Sequence, residues 1–411
     1  MLLLTQWFDP EPTFKGTAFA RALREAGHQV EVLTGFPNYP GGKIYSGHRQ
    51  RLFQVEMVDG IRTIRVPLYP SHDSSGVRRA LGYLSFAVSA SVVGACLMRR
   101  PDVIYAYHPP LTTGLAAVWL SRVRRAPFVY DIQDLWPDTL RSTGMLKSEK
   151  ISRLVGRFCD AVYERASRIV VLSPGFKSAL ISRGVPEHKL EVIYNWCDEA
   201  RLSVAASAGH DAPENDASFE FVFAGTMGRA QDLGNVLNAA SILQAEAPGA
   251  RISLVGDGIE EITLKDTASR LGLTNVRFVG RVPMSQVGGI LQRADALLVH
   301  LADDPLFTIT IPGKTQAYLA SGRPMLMAAE GDAAELVERS GGGVTCRPGD
   351  PRALADAALD LMSRSAQDLR VMGERGKAFY ESELALRVGA ARFVRVFEQA
   401  AGRQSSRVAQ P

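Results

Sequence analysis

A chain of 411 residues exceeds the size that one hydrophobic core usually supports, so its length predicts two domains. Hydrophobic residues make up 46% and charged residues 22% of it, a composition typical of globular proteins that excludes disordered and fibrous classes. A net charge of +4 is too small to indicate a nucleic-acid-binding protein, and the four scattered cysteines, which fit a reducing compartment, form neither a metal-ligand spacing nor a disulfide framework.

Short apolar runs alternate with longer helical patterns through the first half of the chain. The helical pattern at 16–26, for example, lies between apolar runs at 2–5 and 30–33. The alternation continues and predicts further strands at 63–66, 103–107, 128–131, 169–172 and 190–194. Strands that alternate with helices are typical of a parallel sheet, so residues 1–199 are predicted to form a Rossmann-like domain.

Residues 81–98 form an unusually apolar stretch with an arginine pair on each side, at 78–79 and at 99–100. Its length approaches that of a membrane span. Serines and glycines inside it favour a helix packed in an α/β domain over a transmembrane helix. The arginines fit a surface contact with anionic lipid in either case.

The second half of the chain repeats this organisation after a polar segment at 200–218, which predicts an interdomain linker. Residues 219–380 are then predicted to form a second doubly wound domain, and residues 381–411 a helix that crosses back to the first domain and ends in a frayed tail. Two such domains predict a ligand-binding cleft at the carboxyl ends of their strands. Neither carries a complete Gly-x-Gly-x-x-Gly fingerprint, which disfavours hydride transfer.

Two loops in the first domain hold candidate site residues at the ends of predicted strands. Lys15 and Gly16 precede a helix whose free N–H groups favour an anion, although an ordinary βα turn is an equal alternative. His108 follows the strand at 103–107 on a rigid Pro-Pro loop. Its position at the carboxyl end of a strand favours a functional over a structural histidine.

A third loop carries Asp131, Asp134 and Trp136 directly after the strand at 128–131. The carboxylates are suited to orient an acceptor hydroxyl or to act as a base, and the indole is suited to stack on a sugar ring. Asp134 alternatively caps the next helix. A metal site is disfavoured because no third ligand lies within reach in the sequence.

Glycine turns follow the strands of the second domain, and Arg229 in the first of these turns is placed to bind a diphosphate bidentately. Lys314 begins a helix behind Pro312, where free N–H groups and a cation predict a phosphate site. The candidates for donor binding in the whole chain are Lys15, Gly16, Gly225, Gly228, Gly256, Val279, Gly280, Val282, Thr310, Ile311, Pro312 and Gly313.

Three motifs resemble those of bacterial family 4 glycosyltransferases: WFDPEP at 7–12, FPNYPGG at 36–42 and DIQDLWP at 131–137. Within that family the chain looks most like the L-fucosamine (N-acetyl-L-fucosamine) transferases of O-antigen and capsule biosynthesis. Segments at 192–198, 254–258 and 322–324 also match, so the resemblance covers nearly the whole chain.

The resemblance implies a GT-B fold, in which two Rossmann-like, doubly wound parallel-sheet domains face each other across a cleft. It also implies a UDP-sugar donor held mainly by the second domain, an acceptor on the first, and neither a metal nor a cofactor. The implied acceptor is a polyprenyl diphosphate-linked glycan, so the protein would be cytoplasmic and peripheral on the inner face of the plasma membrane. Nucleic acid is not an expected partner.

The resemblance also assigns individual residues. His108 matches the family histidine near the reacting sugar, Arg229 the arginine on the diphosphate, and Gly16 the glycine loop that faces the donor. Because a diphosphate leaves without metal assistance, cations are needed where its charge develops, and Arg229, Lys314 and the start of the helix behind Pro312 would supply them. His108, the third predicted catalytic residue, would orient the sugar or the acceptor.

The chain departs from the family pattern at its Glu-x7-Glu motif, which falls on Ile309 and Ala317. The second basic residue of the family, five positions after Arg229, falls on Gly234, and Lys314 would replace its charge. Backbone N–H groups near 310–313 would replace the first glutamate.

Two other functions fit the same features. A UDP-sugar 2-epimerase shares the architecture, although it has no use for the apolar stretch at 81–98 and its flanking arginines. A non-catalytic nucleotide-sugar-binding subunit would account for the missing glutamates.

Overall fold

The computed structural model describes residues 1–71, 76–142, 148–199, 202 and 218–402. The chain divides into two compact units. The first unit is Met1–Tyr194 together with Leu386–Pro411, and the second is Asn195–Ala385. The predicted linker at 200–218 lies outside the described residues except at its positions 202 and 218, as does the predicted tail from 403 onward.

Eight strands form the sheet of the first unit: β1 (Leu2–Leu4), β2 (Glu31–Gly35), β3 (Gln54–Val58), β4 (Ile61–Val66), β5 (Ile104–Tyr107), β6 (Phe128–Ile132), β7 (Arg168–Val171) and β8 (Leu190–Val192). Their spatial order is β3-β4-β2-β1-β5-β6-β7-β8, and only β3 is antiparallel to its neighbour. The central strands β1, β2, β5 and β6 are buried along their whole length, as expected where helices cover both faces of a parallel sheet.

Among the residues that the structure describes, six α-helices accompany this sheet before the chain leaves the first unit: α1 (Thr17–Glu25), α2 (Gly76–Leu97), α3 (Leu111–Arg124), α4 (Asp138–Ser142), α5 (Glu149–Arg165) and α6 (Pro174–Ser182). Among the described residues, α2 is the one helix long and apolar enough to cross a membrane. One of its faces packs against β2, β4 and α3, so it is a packed helix of the unit, with its other face exposed.

The second unit is built on six parallel strands: β9 (Phe219–Ala224), β10 (Ala250–Val255), β11 (Val276–Gly280), β12 (Ala296–His300), β13 (Met325–Ala328) and β14 (Gly343–Cys346). Their order is β11-β10-β9-β12-β13-β14. Eight α-helices surround them in the described part of the unit: α7 (Leu233–Glu246), α8 (Glu261–Arg270), α9 (Met284–Arg293), α10 (Pro305–Thr308), α11 (Gly313–Ser321), α12 (Asp332–Ser340), α13 (Pro351–Ser363) and α14 (Ala366–Phe379).

Each sheet has one point at which the strand order reverses. β1 pairs with both β2 and β5 in the first unit, and β9 pairs with both β10 and β12 in the second. Ligands of open α/β sheets bind at the carboxyl ends of the strands beside such a point. This topology therefore predicts ligand sites at the loops after β1 and β5, and at those after β9 and β12.

The second unit, 195–385, begins 24 residues before the predicted second domain at 219–380 and ends five residues after it. Residues 195–199, predicted to belong to the first domain, lie in the second unit because Tyr380 holds them there. The Tyr380 hydroxyl accepts a hydrogen bond from the Cys197 N–H at 3.2 Å and donates one to Glu199 Oε1 at 2.8 Å. A single π-helical turn, Tyr380–Leu384, follows α14 within the same unit, and the last helix, α15 (Leu386–Ala400), packs against α1 of the first unit.

Tyr380→Phe is expected to lower the free energy of unfolding by about 1 to 2 kcal/mol, because it leaves the buried Cys197 N–H without its acceptor. The aromatic ring and its packing remain, so the loss reports the hydroxyl alone. Urea unfolding measures it. A variant as stable as the wild type would show that water replaces the hydroxyl at no cost.

Candidate functional site

The reversal point of the first unit gathers His108, Asp134 and Trp136 as the sequence predicts. His108 follows β5, and its backbone N–H donates to the Asp131 carbonyl at the end of β6, which fixes the two loops together at 2.9 Å. The His108 ring meets the Trp136 ring edge-on, with centroids 5.2 Å apart. The histidine and the indole therefore form one surface at the carboxyl edge of this sheet.

His108 is neutral in this environment. Its side chain is buried, and burial lowers its pKa to about 3. Its Nδ1 atom has no hydrogen-bond partner among the described residues. A neutral imidazole with a free nitrogen is suited to hydrogen-bond a sugar hydroxyl, and it is not suited to carry a positive charge.

Two tyrosines complete this surface, and neither is among the site residues predicted from the sequence. Tyr83 of α2 lies 6.4 Å from Trp136 between ring centroids, and burial is the largest cause that raises its pKa, with nearby Asp134 adding to it. Tyr39 also raises the pKa of Tyr83, so it belongs to the same group. We call Tyr39, Tyr83, His108, Asp134 and Trp136 the aromatic cluster. No spacing along the chain signals it, because its members come from four separate loops and helices.

Asp134 is the acidic group of the aromatic cluster. Burial raises its pKa to about 6, so it is ionised at neutral pH but takes up a proton just below it. A carboxylate with such a pKa is suited to accept a proton from a hydroxyl.

The structure corrects the interpretation of Asp131 and Lys15 as ligand contacts. Asp131 is buried and accepts hydrogen bonds from the Tyr105 hydroxyl at 2.5 Å and from the Gln133 amide at 2.7 Å. Lys15 is only 1% exposed and lies over the Phe393 ring of α15 at 4.9 Å. Both charges face the interior of the unit, where burial raises the pKa of Asp131 and nearby Lys15 opposes the rise. Asp131 and Lys15 therefore stabilise the interior of the unit beneath the site and do not line the site itself.

The start of α1 was predicted to offer Gly16 and free N–H groups to the donor, and the structure shows a different arrangement. The Asp9 carboxylate accepts a hydrogen bond from the Thr17 N–H at 2.6 Å. A Cβ at position 16 would lie 2.2 Å from the same Asp9 oxygen, so glycine is needed for this contact. An internal carboxylate thus occupies the helix end that a phosphate would need.

The reversal point of the second unit holds Lys314 against Gly225. The ammonium group lies over the Phe223 ring at 3.4 Å, and a Cβ on Gly225, whose φ is +150°, would come within 2.8 Å of it. Lys314 Nζ is buried and has no hydrogen-bond partner among the described residues. A buried cation without a partner is costly, so this position calls for an anion.

Burial lowers the pKa of Lys314 to about 7, so the amine is close to half protonated at neutral pH. An anion beside it would favour the charged form and raise the pKa again. The first turn of α11 adds to this preference, because helix geometry leaves the N–H groups of Gly313 and Lys314 without intrahelical acceptors.

The glycine turns after β9 and β10 pack on each other. A Cβ on Gly256 would lie 2.0 Å from the Gly225 carbonyl oxygen, and one on Gly258 would lie 2.2 Å from that of Met227. These glycines permit close contact between two loops and thereby fix Gly225 beneath Lys314. The turn after β11, with Gly280 at a φ of +78°, has open space at its Cβ position and an exposed Val279 before it.

Arg229 lies in the turn after β9 and extends into solvent. Its side chain is 87% exposed and forms a loose ion pair with Glu260 at 3.5 Å. His300, at the end of β12, supports the turn that carries it. His300 Nδ1 lies 2.9 Å from the Gln231 carbonyl oxygen, and its Nε2 lies 2.8 Å from the Asn235 amide nitrogen. Since a carbonyl only accepts, Nδ1 carries the proton and Nε2 accepts from Asn235.

The remaining residues predicted to bind the donor lie in the turns after β9 and β11 and just before α11. Gly228 precedes the turn of Arg229, and its N–H donates to the Gln231 side chain at 3.1 Å. Thr310 and Pro312 are half-buried beside the start of α11, whereas Ile311 is buried. Val282 is half-buried after β11. The residues at the two family glutamate positions, Ile309 and Ala317, bring no charge here.

Two family models match the chain one after the other. The glycosyl transferase 4-like domain matches residues 17–196, and glycosyl transferases group 1 matches residues 218–364. A probable glycosyltransferase of Pseudomonas aeruginosa, WbjE, is 27% identical, over 67% of this chain and 70% of its own length. Glycogen synthase of Mycobacterium tuberculosis is 24% identical, over 89% of this chain and 86% of its own.

Solved structures share the fold. The Anabaena protein HepE, in complex with UDP and glucose, has a TM-score of 0.67 at 18% identity, over 97% of this chain and 98% of its own. An E. coli protein bound with UDP-2-fluoro glucose has a TM-score of 0.73 at 12% identity, over the same shares of each chain. The predicted GT-B fold is confirmed by these likenesses and by the two parallel-sheet units. The chain therefore carries a glycosyl transferase 4-like domain followed by a glycosyl transferases group 1 domain.

Proposed function

We propose that the protein transfers a sugar from a UDP-sugar to a polyprenyl diphosphate-linked glycan at the cytoplasmic face of the membrane, in O-antigen or capsular polysaccharide synthesis. N-acetyl-L-fucosamine is the donor sugar that the sequence resemblance supports. The observation that carries the proposal is the buried, unpartnered ammonium of Lys314 over Gly225 at the reversal point of the group 1 domain. HepE, which shares the fold, was solved with UDP and with UDP-glucose.

The reaction breaks the bond between the anomeric carbon and the diphosphate and forms one to an acceptor oxygen, which loses its proton. Negative charge develops on the departing UDP. Lys314, Arg229 and the first turn of α11 supply positive charge for it, and charge stabilisation of this kind is usually the largest contribution to catalysis. The residues at 310–313 offer backbone groups in place of the family glutamate.

The first unit would hold the acceptor at the aromatic cluster. Trp136 and Tyr83 offer ring faces for sugars, His108 a neutral nitrogen, and Asp134 a carboxylate that takes the proton of the attacking hydroxyl. Asp131 keeps a positioning role, through its carbonyl bond to the His108 N–H.

Purified protein should be incubated with a panel of UDP-sugars and a polyprenyl diphosphate-linked GlcNAc acceptor, with the products analysed by mass spectrometry. The expected result is one added glycosyl residue per acceptor and one UDP released, and NMR of the product gives the anomer. An isomerised UDP-sugar without acceptor would support a 2-epimerase instead. Donor binding with no turnover on any member of the panel would support a non-catalytic subunit.

The dependence of kcat/KM for the donor on pH is expected to be bell-shaped, because this ratio reports the ionisations of the free enzyme. The acid limb should fall below about pH 6 as Asp134 is protonated, and the alkaline limb should fall above about pH 7 as Lys314 loses its charge. Asp134→Asn should remove the first limb and Lys314→Met the second. A profile that keeps both limbs in both variants contradicts the two assignments.

A further inference from the structure

Helix α2 exposes a continuous apolar stripe. Val77, Leu81, Leu84, Val88 and Val92 recur at helical spacing on one face, and their side chains are between 49% and 73% exposed. The opposite face holds the buried residues that pack on the sheet. A stripe of this length is not needed for folding of the unit, because the helix is already anchored by its other side.

The neighbouring helices widen this stripe. α3 packs beside α2, and α5 packs beside α3. α3 adds exposed Trp119 and Val123, and α5 adds exposed Ile151, Leu154 and Phe158. We call the exposed apolar residues of α2, α3 and α5 the three-helix apolar face.

The charges around the three-helix apolar face are predominantly positive. Neither α2 nor α3 contains an aspartate or a glutamate, whereas α5 carries three exposed acidic residues, Glu149, Asp160 and Glu164, against four basic ones. Exposed arginines border the face at Arg78, Arg99, Arg100, Arg122, Arg125, Arg153 and Arg157. Apolar side chains framed by arginines complement the headgroups and outer acyl region of an anionic bilayer, whereas a protein partner would be expected to match them with a few acidic groups in fixed places.

Arg79 occupies the first turn of α2 but points away from the stripe. Its Nε atom is buried and has no hydrogen-bond partner among the described residues. Tyr83, one turn later on the same side, has a pKa that burial raises and that the nearby Arg79 charge pulls down. Arg79 therefore lies between the start of the stripe and the aromatic cluster.

We propose that Arg79 binds the diphosphate of the lipid-linked acceptor while the three-helix apolar face lies on an anionic bilayer. The inference rests on the proposed function, since it assigns residues to that acceptor. The elements then follow the order of the acceptor itself: the glycan at the aromatic cluster, the diphosphate at Arg79, and the polyprenyl chain in the bilayer under α2.

Acceptor binding without donor tests the assignment of Arg79. Calorimetry would compare GlcNAc on a short alkyl diphosphate with the same sugar on an alkyl chain alone. Arg79→Gln is expected to weaken binding of the diphosphate by about tenfold or more and to reduce the preference of the protein for diphosphate over glycoside. Arg270→Gln, at an exposed arginine of α8, is the matched control and should keep the preference. An Arg79→Gln protein with the wild-type preference would overturn the assignment, as would an equal loss for both ligands.

Sedimentation with vesicles tests the bilayer contact. Wild-type protein is expected to bind vesicles of phosphatidylethanolamine and phosphatidylglycerol more strongly than vesicles of phosphatidylcholine. Replacing Val88 and Val92 with serine should lower binding by about tenfold, whereas replacing the even more exposed Ile259 and Ile262 of the second unit should not. Equal sedimentation of all three proteins, or capture only when another protein is added, would overturn the bilayer contact.

These outcomes are separate from failure of the proposed function. Both measurements read binding and need no donor or turnover. If the wild-type protein transfers sugar to the short soluble acceptor but neither variant shows its effect, the function stands and this inference is wrong. If both effects appear but no UDP-sugar is turned over, the acceptor site stands and the transfer reaction is wrong.

Discussion

Lys314→Met is expected to slow sugar transfer by about 10²- to 10³-fold, or about 3 to 4 kcal/mol, while leaving the protein at least as stable as before. The two effects have one cause. The ammonium is buried over Phe223 without a partner, so the free protein bears its desolvation cost, and the leaving diphosphate is what would compensate it. Methionine fills similar space without a charge. Steady-state kinetics and urea unfolding on the same preparation measure both.

Lys265→Met is the control for this variant, since Lys265 is an exposed lysine of the same unit whose partner is Glu261 one helical turn away. It should change neither quantity appreciably. A Lys314→Met protein that is markedly less stable but equally active would contradict the account, because it would make Lys314 a structural cation.

Arg229→Ala is expected to reduce kcat/KM for the donor by about 2 to 4 kcal/mol with no change in stability. The side chain is 87% exposed and its pairing with Glu260 is loose, so the fold does not depend on it. Its value lies in a planar pair of donors that match a diphosphate. Kinetics with the best UDP-sugar of the panel measures the loss.

Arg229→Lys separates charge from geometry, and it should recover only part of the activity because an ammonium cannot donate two parallel hydrogen bonds. His300→Leu offers a second check through the turn that carries Arg229. It should raise KM for the donor more than it lowers kcat. Unchanged turnover and donor affinity in Arg229→Ala would remove this residue from the site.

Most strands could be predicted from the sequence because buried parallel strands are short, continuous apolar runs. β5, β6 and β7 lie within a residue of their predicted bounds. β3 was missed for a physical reason: it is an antiparallel edge strand with alternating exposure, and its outward residues include Met57. Such a strand has little apolar signal of its own.

The site was predictable where one short segment carries the chemistry. Lys314 behind Pro312, and His108 at the end of a strand, could be placed from their positions alone. Lys15 and Gly16 could not, because tertiary contacts change their roles: Asp9 reaches the start of α1 beside Gly16, and Phe393 of α15 covers Lys15. Tyr39, Tyr83 and Arg79 likewise become neighbours of Trp136 or of each other through tertiary contacts between distant segments.

The central claim is that the diphosphate of a UDP-sugar binds beside Lys314, and proton uptake on binding tests it most directly. Calorimetric titration of UDP in buffers of different ionisation enthalpy counts the protons. With a pKa of about 7 in the free protein, Lys314 is mostly neutral at pH 8, and a diphosphate beside it should restore its charge. The account predicts uptake of about one proton per UDP at pH 8, little at pH 6, and none for Lys314→Met. Tight UDP binding with no proton uptake at pH 8, or with the same uptake in the variant, would contradict it.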